Sequence, residues 1–189
     1  MEKKHIITIA GRPGSGKSTA AKAVAIQLGF EHYSSGDLFR ALAKERGIDV
    51  LQANLSAEQN TEIDHLVDNR LQDINAHDDR LVIDARTAWH WIPHSFKVFL
   101  DLDLEVAADR ILGNMDDARL ASEHIHRDPV EYAQLLQNRL DSETRRYKAL
   151  YDIDPYDMSN YDLVVNTETN SKEQTIAAVL AGFEAWIKS

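Results

Sequence analysis

The sequence predicts a single α/β domain, spanning residues 1–189, in which helices cover both faces of a five-stranded parallel sheet. Short β-branched runs alternate with longer segments whose apolar residues recur at helical spacing, which is typical of βαβ units. The first run is almost continuously apolar, as in a strand buried on both faces. The composition, 43% apolar and 28% charged residues, suits one well-packed domain and argues against wholesale disorder.

The elements of the first half each have a local signal. Residues 5–11 are β-branched and stop at a glycine, and residues 17–28 are alanine-rich with Gly29 after them as a C-cap. A short strand is predicted at 30–35 and a helix from Asp37 to about residue 47. Ser56 and Gln59 form a capping-box pattern before a stripe of apolar residues at helical spacing, at positions 63, 66, 67, 71 and 74.

The second half continues the alternation. Asp128, Pro129 and Glu131 have the residue types of an N-cap, an N1 proline and an N3 acid, and they predict a long helix to about residue 150. The stretch 113–127 has no periodicity and is predicted to be a mobile loop. The other predicted elements are strands at 80–85, 96–102 and 161–167, a helix at 103–112 and a final amphipathic helix from residue 171.

The composition of the chain argues against several classes of binding partner. The formal net charge of −10 disfavours binding to a polynucleotide backbone. The absence of cysteine excludes disulfides and Cys-type zinc sites. No run approaches the ~20 apolar residues that span a bilayer. We therefore expect a cytoplasmic protein with no membrane partner, and a monomer, because no exposed apolar heptad is visible.

A glycine-rich motif lies between the first predicted strand and the first predicted helix. The segment GRPGSGKS matches G-x-x-x-x-G-K-S in full and in the required context, which disfavours an ordinary glycine-rich turn. Its backbone N–H groups surround a phosphate and the helix adds its positive end. Lys17 is predicted to reach the β- and γ-phosphates, and Ser18 to ligate Mg²⁺. The motif predicts a P-loop NTPase fold that binds a nucleoside triphosphate through Gly11, Arg12, Pro13, Gly14, Ser15, Gly16, Lys17, Ser18 and Thr19.

Two further segments predict a second anion site. In SSGDLFR, Ser35 and Gly36 open a helix and Arg40 lies one turn in, although a capped helix with a surface arginine is equally consistent with this heptapeptide. LVIDAR ends a buried strand, where ligands bind in open α/β sheets. Asp84 is predicted to hold Mg²⁺ through water, with helix capping as the alternative. Arg86 is predicted to bind a phosphate.

The long helix near the C-terminus carries further arginines. Arg139 and Arg146 are seven residues apart and share a face, with Asp141 and Glu143 near enough to hold them. A solvated charged face is the ordinary alternative. Phosphoryl transfer, however, needs cations over the transferring group and over the acceptor phosphate.

Taken together, these motifs resemble the cytidylate kinases of archaeal type within the nucleoside monophosphate (NMP) kinases. The segments that carry the resemblance are the phosphate loop, SSGDLFRALAKERG, EIDHLVDNRLQ, LVIDAR, VFLDLDLEVAADRI and RLDSETRRYKALYDIDPYDMSNYDLVVNT. Shikimate and gluconate kinases share the phosphate loop but not this tyrosine-and-aspartate tail. The resemblance implies an adenylate-kinase-like fold with an NMP-binding insert at about 36–76 and a lid at about 113–128.

The same resemblance implies transfer of a phosphoryl group from ATP to CMP, and also to dCMP, with Mg²⁺. Carried over by position, the residues that would hold the monophosphate are Ser35, Gly36, Phe39, Arg40, Asp64 and Arg86. Those that would act on the transferring phosphate are Lys17, Arg86, Arg110, Arg139 and Arg146. No general base is needed, because the acceptor is already an ionised phosphate.

The chain departs from the family pattern at three positions. Ala85 stands where the family usually has the glycine of D-G-R, and Ala107 and Asn114 stand where it has arginines. Arg119 and Arg127 are candidates to replace the missing lid arginine, in a segment that is acidic where a cationic lid is expected.

Two alternative functions stay open beside the main one, and so does the place of two tryptophans. An adenylate kinase has a similar SSGDLFR segment, but the absence of D-G-F-P-R after the third strand argues against it. A P-loop domain that binds nucleotide without turnover, as a sensor or partner-binding module, would follow from the lost lid arginine. Trp89 and Trp91 follow Arg86 closely, and either one lines the nucleoside pocket or both pack in the core.

Overall fold

The computed structural model describes residues 5–45, 62–116 and 125–189. In this part of the chain, five parallel strands form one sheet with the order β2-β3-β1-β4-β5. The predicted five-stranded parallel sheet is confirmed. The strands are Ile6–Gly11 (β1), Glu31–Ser34 (β2), Leu81–Asp84 (β3), Phe96–Asp101 (β4) and Leu163–Asn166 (β5).

The helices of the described residues agree with the predicted alternation, with two differences. The second helix begins at Ser35 instead of Asp37, whose N–H donates to Ser34 Oγ at 3.2 Å. One single-turn helix was not predicted, because four residues are too few to show a periodic pattern. The helices are Lys17–Leu28 (α1), Ser35–Glu45 (α2), Glu62–His77 (α3), Ala88–Trp91 (α4), Leu104–Gly113 (α5), Pro129–Tyr151 (α6) and Lys172–Lys188 (α7), with a 3-10 turn at Met158–Asn160.

Side-chain caps fix the start of the last two helices as the sequence predicts. Asp128 Oδ1 accepts from the N–H of Val130 at 2.9 Å, with Pro129 in the first turn of α6. Ser171 and Gln174 form a reciprocal capping box at the start of α7. Each such cap stabilises its helix by about 1 kcal/mol. The capping-box pattern of Ser56 and Gln59 lies outside the described residues.

Two apolar clusters of the core lie one on each face of the sheet, because neighbouring residues of a strand point to opposite faces. Ile7 packs with Val24 of α1 and Val179 of α7. Ile6 packs on the other side with Leu71 of α3. These clusters give the predicted three layers of helix, sheet and helix.

The strand register brings the carboxyl ends of three strands together. Asp84, the last residue of β3, is paired with Ile9 of β1 on one side and Ser34 of β2 on the other. The segments that follow these strands therefore leave the sheet at neighbouring points. This is the edge at which open α/β sheets bind ligands.

The two tryptophans of α4 take part in packing. Trp91 packs against the cluster around Leu71 and donates from Nε1 to Asp68 at 2.9 Å. The Trp89 ring lies 5.8 Å from the Tyr161 ring, centroid to centroid. Among the helices described, none has the length and apolar character needed to cross a membrane.

The division into a nucleotide-binding core, an NMP-binding insert and a lid stays a prediction. Residues 46–61 and 117–124, which form much of the two predicted inserts, lie outside the described residues.

Candidate active site

The glycine-rich loop joins β1 to α1 and has the backbone of a phosphate cradle. Gly14 and Gly16 have φ angles of 75° and 78°, in the left-handed region that other residues seldom adopt. A Cβ at Gly14 would lie 3.2 Å from the backbone of Ala107, which is fully buried beneath the loop. Gly16 is the N-cap of α1 and has no side chain with which to cap it. The first N–H groups of α1 are therefore available for an anion.

The beginning of the loop is fastened to β4. A Cβ at Gly11 would come within 2.5 Å of the carbonyl oxygen of Leu100, so only glycine fits there. The N–H of Arg12 donates to that same oxygen at 3.1 Å. Arg12 Nε also donates to Asp101 Oδ1 at 2.7 Å. Asp101 is a site-supporting residue that sequence reasoning missed, although its place at a strand end was a usable signal.

Asp84 contacts both residues of the phosphate loop whose side chains are predicted to hold the triphosphate and its Mg²⁺. Lys17 Nζ contacts one oxygen of its carboxylate, and the Ser18 hydroxyl donates to the other. The Ser35 hydroxyl donates to the Asp84 carbonyl at 3.2 Å. The predicted ligands Ser18 and Asp84 therefore touch each other, and the first residue of α2 lies beside them.

Burial and the nearby cations Arg86 and Arg139 all oppose a positive charge on Lys17, and a bound anion would offset them. Burial lowers the pKa of Lys17, while Asp84 acts in the opposite direction. A phosphate would add negative charge next to this ammonium group and stabilise its protonated form. No group of three or more His, Cys, Asp or Glu side chains forms a metal cage within the described ranges. Because Mg²⁺ bound with a nucleotide needs only one or two protein oxygens, Ser18 and Asp84 fit it.

A cavity of about 420 Å³ opens in front of the phosphate loop. Two predicted arginines, Arg86 from the end of β3 and Arg139 from α6, line it together with residues 11–19. The rest of its lining is Ile111, Tyr132 and Leu136. The fold thus places two predicted site arginines opposite the cradle.

Both arginines are held by Glu143 of α6. Arg86 Nε lies 2.9 Å from Oε2, and Arg139 Nε donates to Oε1 at 3.0 Å. The Tyr156 hydroxyl also donates to Oε2. Of the two acids considered from the sequence, Glu143 has this role, whereas Asp141 accepts from Gln137 at 2.7 Å.

The ionisation of this cluster follows from its charges. Burial would raise the pKa of Glu143, but Arg86 and then Arg139 outweigh it, so that the pKa lies below its usual range. Burial would likewise lower the pKa of Arg86, and the negative charge of Glu143 raises it instead. The pKa of the Tyr156 phenol is raised, first by burial. The cluster therefore consists of one carboxylate, two guanidinium groups and a neutral tyrosine.

Arg110 lies beside a different cavity. Its Nη2 donates to the carbonyl of Thr167 at 2.9 Å. It lines a space of about 320 Å³ between the phosphate loop and the start of α7. Neighbouring residues of that space include Gly14, Thr19, Asn170 and Thr175. Arg110 therefore lines a different cavity from Arg86 and Arg139, although both cavities border residues 14–16 and Thr19.

The other predicted residues fall into two groups. Arg146 is half-buried, with its guanidinium carbon 5.1 Å from the centroid of the Tyr147 ring. Ser35 and Gly36 begin α2 near Asp84. The side chains of Phe39, Arg40 and Asp64 lie outside the described part of the structure. The roles assigned to all of these residues stay predictions.

The positions that depart from the family pattern lie close to the loop. Ala85 is buried directly after Asp84. Ala107 is buried under Gly14, and its Cβ would lie 3.3 Å from a Cβ placed at Gly14. Asn114 caps the end of α5 and donates from Nδ2 to the carbonyl of Arg110 at 2.6 Å. Of the two candidate replacements, Arg127 donates to the carbonyl of Met115 at 3.1 Å, and Arg119 lies outside the described residues.

A second buried carboxylate, Asp68 of α3, was not singled out in the sequence. It accepts hydrogen bonds from the Tyr151 hydroxyl, from Trp91 Nε1 at 2.9 Å and from Thr87 Oγ1 at 3.5 Å. Burial raises its pKa, and these donors only partly oppose the rise. Nothing in the helical pattern of α3 distinguishes Asp68 from Asp73, which is exposed on the same helix.

The sheet order and the phosphate loop define a P-loop kinase fold, and solved structures agree. A gluconokinase from Sinorhizobium meliloti 1021 superposes with a TM-score of 0.60 and 16% identity, covering 100% of this chain and 96% of that one. A shikimate kinase from Bacteroides thetaiotaomicron gives a TM-score of 0.61 and 16% identity, covering 96% and 97%. At such identities the likeness concerns the fold alone.

Sequence relatives define the family more narrowly. This chain belongs to the cytidylate kinase-like family, whose model matches residues 6–169. A cytidylate kinase of Haloarcula marismortui is 40% identical over 185 residues, covering 96% of this chain and 90% of that protein. A cytidylate kinase of Methanothrix thermoacetophila is 36% identical over 180 residues, covering 95% and 98%. The resemblance seen in the sequence motifs is confirmed.

Proposed function

We propose that this protein is a nucleoside monophosphate kinase that transfers the γ-phosphoryl group of ATP to CMP, with Mg²⁺ as cofactor. The observation that carries the proposal is the shared cavity in which Arg86 and Arg139 face the phosphate loop. Membership of the cytidylate kinase-like family supports CMP as the acceptor. We expect dCMP to be accepted as well.

The donor side would hold ATP by its phosphates. The loop N–H groups and the start of α1 offer hydrogen bonds and positive potential to a polyphosphate. Lys17, already next to Asp84, would contact the outer phosphates. Mg²⁺, when bound, would neutralise phosphate charge, and Ser18 and Asp84 are the residues that would hold it.

The acceptor side would use Arg86. A guanidinium group binds a phosphate through two parallel hydrogen bonds and fixes its orientation. Charge on the transferring group spreads over its equatorial oxygens, so cations on both sides of it lower the barrier. Arg139 lines the same cavity as Arg86 and the loop, which supports this role for it. An acceptor phosphate oxygen is already an anion, so no side chain needs to remove a proton.

Arg110 has two proposed positions. The prediction from the sequence places it over the transferring phosphate. Its contact with Thr167 and its place beside the second cavity support a contact with the nucleoside end of ATP instead. An Arg110→Ala variant distinguishes them, because loss of a nucleoside contact raises KM for ATP, whereas loss of a transition-state contact lowers kcat.

A coupled assay tests the proposed function. ATP with Mg²⁺ would be offered with CMP, dCMP, UMP, AMP and GMP in turn, and diphosphate formation would be followed. We expect turnover with CMP and dCMP and its loss in Lys17→Ala. The proposal fails if no monophosphate is turned over while ATP still binds, a result that would favour a nucleotide-binding module. A preference for AMP would favour an adenylate kinase. Light scattering tests the predicted monomer.

A further inference from the structure

Glu143 connects the two arginines of the proposed active site. It is 7% exposed and gives one carboxylate oxygen to each arginine, Oε2 to Arg86 and Oε1 to Arg139. Arg86 follows strand β3, whereas Arg139 lies one helical turn before Glu143 on α6. The carboxylate therefore joins groups that reach the cavity from two separate elements.

Tyr156 completes this connection from a third segment. Its hydroxyl donates to Oε2, the oxygen that faces Arg86. The position of Tyr156 is set by Asp154, whose Oδ1 accepts from the N–H of Tyr156 at 2.9 Å and from Thr144 Oγ1 at 3.4 Å. The segment after α6 is thus folded back on the helix, which is why the tyrosine hydroxyl reaches the carboxylate.

We propose that Glu143 and Tyr156 are positioning residues that hold Arg86 and Arg139 at the cavity before substrate binds, and that they thereby link the acceptor side to the transfer side. This proposal rests on the proposed function. Neither residue is proposed to touch the reacting atoms, and both act through the two arginines.

Positioning residues are needed because it costs free energy to order two arginine side chains beside one cavity. Arginine side chains have many rotamers, and two guanidinium groups near one cavity repel each other. One carboxylate between them offsets the repulsion and fixes both side chains. Each contact is an approach of Nε, an ion pair without hydrogen-bond geometry for Arg86 and a hydrogen bond for Arg139. A guanidinium group has four more N–H donors, on its two terminal nitrogens. Charge stabilisation is most effective when its donors are already in place.

The chain has a matched control for Tyr156. Tyr151, the last residue of α6, donates from its hydroxyl to the buried carboxyl group of Asp68. Asp68 also accepts hydrogen bonds from Trp91 and Thr87, which are neutral donors. Removing either hydroxyl thus deletes the same kind of hydrogen bond, and only one of the two bonds belongs to the arginine cluster.

The test compares Tyr156→Phe, Tyr151→Phe and Glu143→Gln with the wild type. KM and kcat are measured for CMP at saturating ATP·Mg²⁺ and for ATP at saturating CMP, and folding is checked by thermal unfolding. We expect Tyr156→Phe to lower kcat/KM for CMP about tenfold, as the loss of a hydrogen bond to a charged group does. Glu143→Gln should lower it about a hundredfold. KM for ATP should change by less than about threefold in both.

Two results would overturn the proposal. The first is a Tyr156→Phe enzyme whose kcat/KM for CMP equals that of Tyr151→Phe. The second is a Tyr156→Phe enzyme that loses ATP and CMP affinity in equal measure, as a loosened fold would. If Glu143→Gln does not fold, Tyr156→Phe against Tyr151→Phe decides the question alone.

Calorimetry separates this proposal from the proposed function. If the wild type binds CMP but transfers nothing, the proposed function fails. CMP affinity that is reduced in Tyr156→Phe and unchanged in Tyr151→Phe would then still support the positioning role. A wild type that neither binds CMP nor transfers phosphate to it overturns both.

Discussion

Two buried acidic side chains, Glu143 and Asp68, have similar surroundings, but their pKa values are shifted in opposite directions. Each accepts a hydrogen bond from a tyrosine hydroxyl, and each joins α6 or its end to another element. Burial is the largest influence on both side chains, and by itself it would raise both pKa values. Two arginines reverse this shift for Glu143, whereas the neutral donors of Asp68, together with the nearby His65, do not.

The difference shows what each cluster is suited to do. Glu143 stays an anion because it holds cations, and those cations line the cavity in front of the phosphate loop. Asp68 is surrounded by groups from α3, α4 and α6 and contributes to the attachment of α3. A hydrogen bond from a tyrosine hydroxyl therefore accompanies an arginine pair at the cavity in one place and the packing of helices in the other.

The largest expected effect comes from removing Arg86, one of the two arginines that distinguish the surroundings of Glu143 from those of Asp68. Arg86→Ala should lower kcat/KM for CMP by about 10³-fold, because a phosphate contact and its charge stabilisation are both lost. Binding of ATP, measured by calorimetry, should stay nearly unchanged. Arg86→Lys keeps the positive charge but loses the paired N–H donors of the guanidinium group. Its kcat/KM for CMP should therefore lie between those of the wild type and Arg86→Ala. If ATP binding is lost together with CMP binding, the division into donor and acceptor sides is wrong.

Glu143→Gln should also reduce stability. It leaves two partly buried arginines without a counterion, and we expect the free energy of unfolding at pH 7 to fall by about 2 kcal/mol, less than for a fully buried pair because Arg139 is half exposed. The pKa of Glu143 is lowered in the fold, so its contribution is present above the unfolded pKa of about 4.3 and is lost as pH falls through the folded pKa. Urea unfolding from pH 7 to pH 3 measures this. Equal stability of the two proteins at pH 7 would contradict the ion-pair account.

Asp68→Asn should show a smaller effect with the opposite pH dependence. Because the pKa of Asp68 is raised, its stabilisation is fully present below the unfolded pKa of about 3.9 and is lost as pH rises through the folded pKa. The advantage of the wild type over this variant should therefore shrink with rising pH and lie within about 1 kcal/mol at pH 7. The same unfolding series measures it, with kcat/KM expected to be unchanged. A wild-type advantage that grows with pH would show that Asp68 is held as an anion.

The smallest effect on the free energy of unfolding is expected at the ion pair of Arg12 and Asp101, which is less buried than Glu143. Arg12 and Asp101 each have 27% exposed side chains, and their 2.7 Å contact fastens the phosphate loop to β4. Asp101→Asn should lower the free energy of unfolding by less than about 1 kcal/mol, because water screens such pairs. KM for ATP should rise by no more than about fivefold. A larger loss of stability than in Glu143→Gln would contradict the ranking of these pairs by burial.

Much of the fold was predictable from local patterns. The β-branched runs, the capping residues Asp128 and Ser171 and the glycines of the phosphate loop depend on neighbours in sequence, so their signals survive in a single chain. The single turn of α4 was missed because it is too short for a period. The start of α2 was misplaced by two residues, since Ser34 caps it through the N–H of Asp37.

The site was predictable in its residue types and less so in its contacts. Lys17, Ser18 and Asp84 meet as expected, because the motif and the strand end each fix a position at the same edge of the sheet. Arg86 and Arg139 also meet as expected. Arg110 does not join them, because its place on α5 directs it to the carbonyl of Thr167 beside β5.

By itself, then, the sequence determined the order of strands and helices, the phosphate cradle and the family, since all of these depend on residues close together in the chain. Only the tertiary structure decided which carboxylate holds the arginines. Asp141 and Glu143 are two residues apart on one helix, and the fold turns Glu143 towards Arg86 and Tyr156 while Asp141 meets Gln137. That choice depends on how α6 packs against α5 and on where β3 ends, and these long-range contacts are not visible in any local pattern of the sequence.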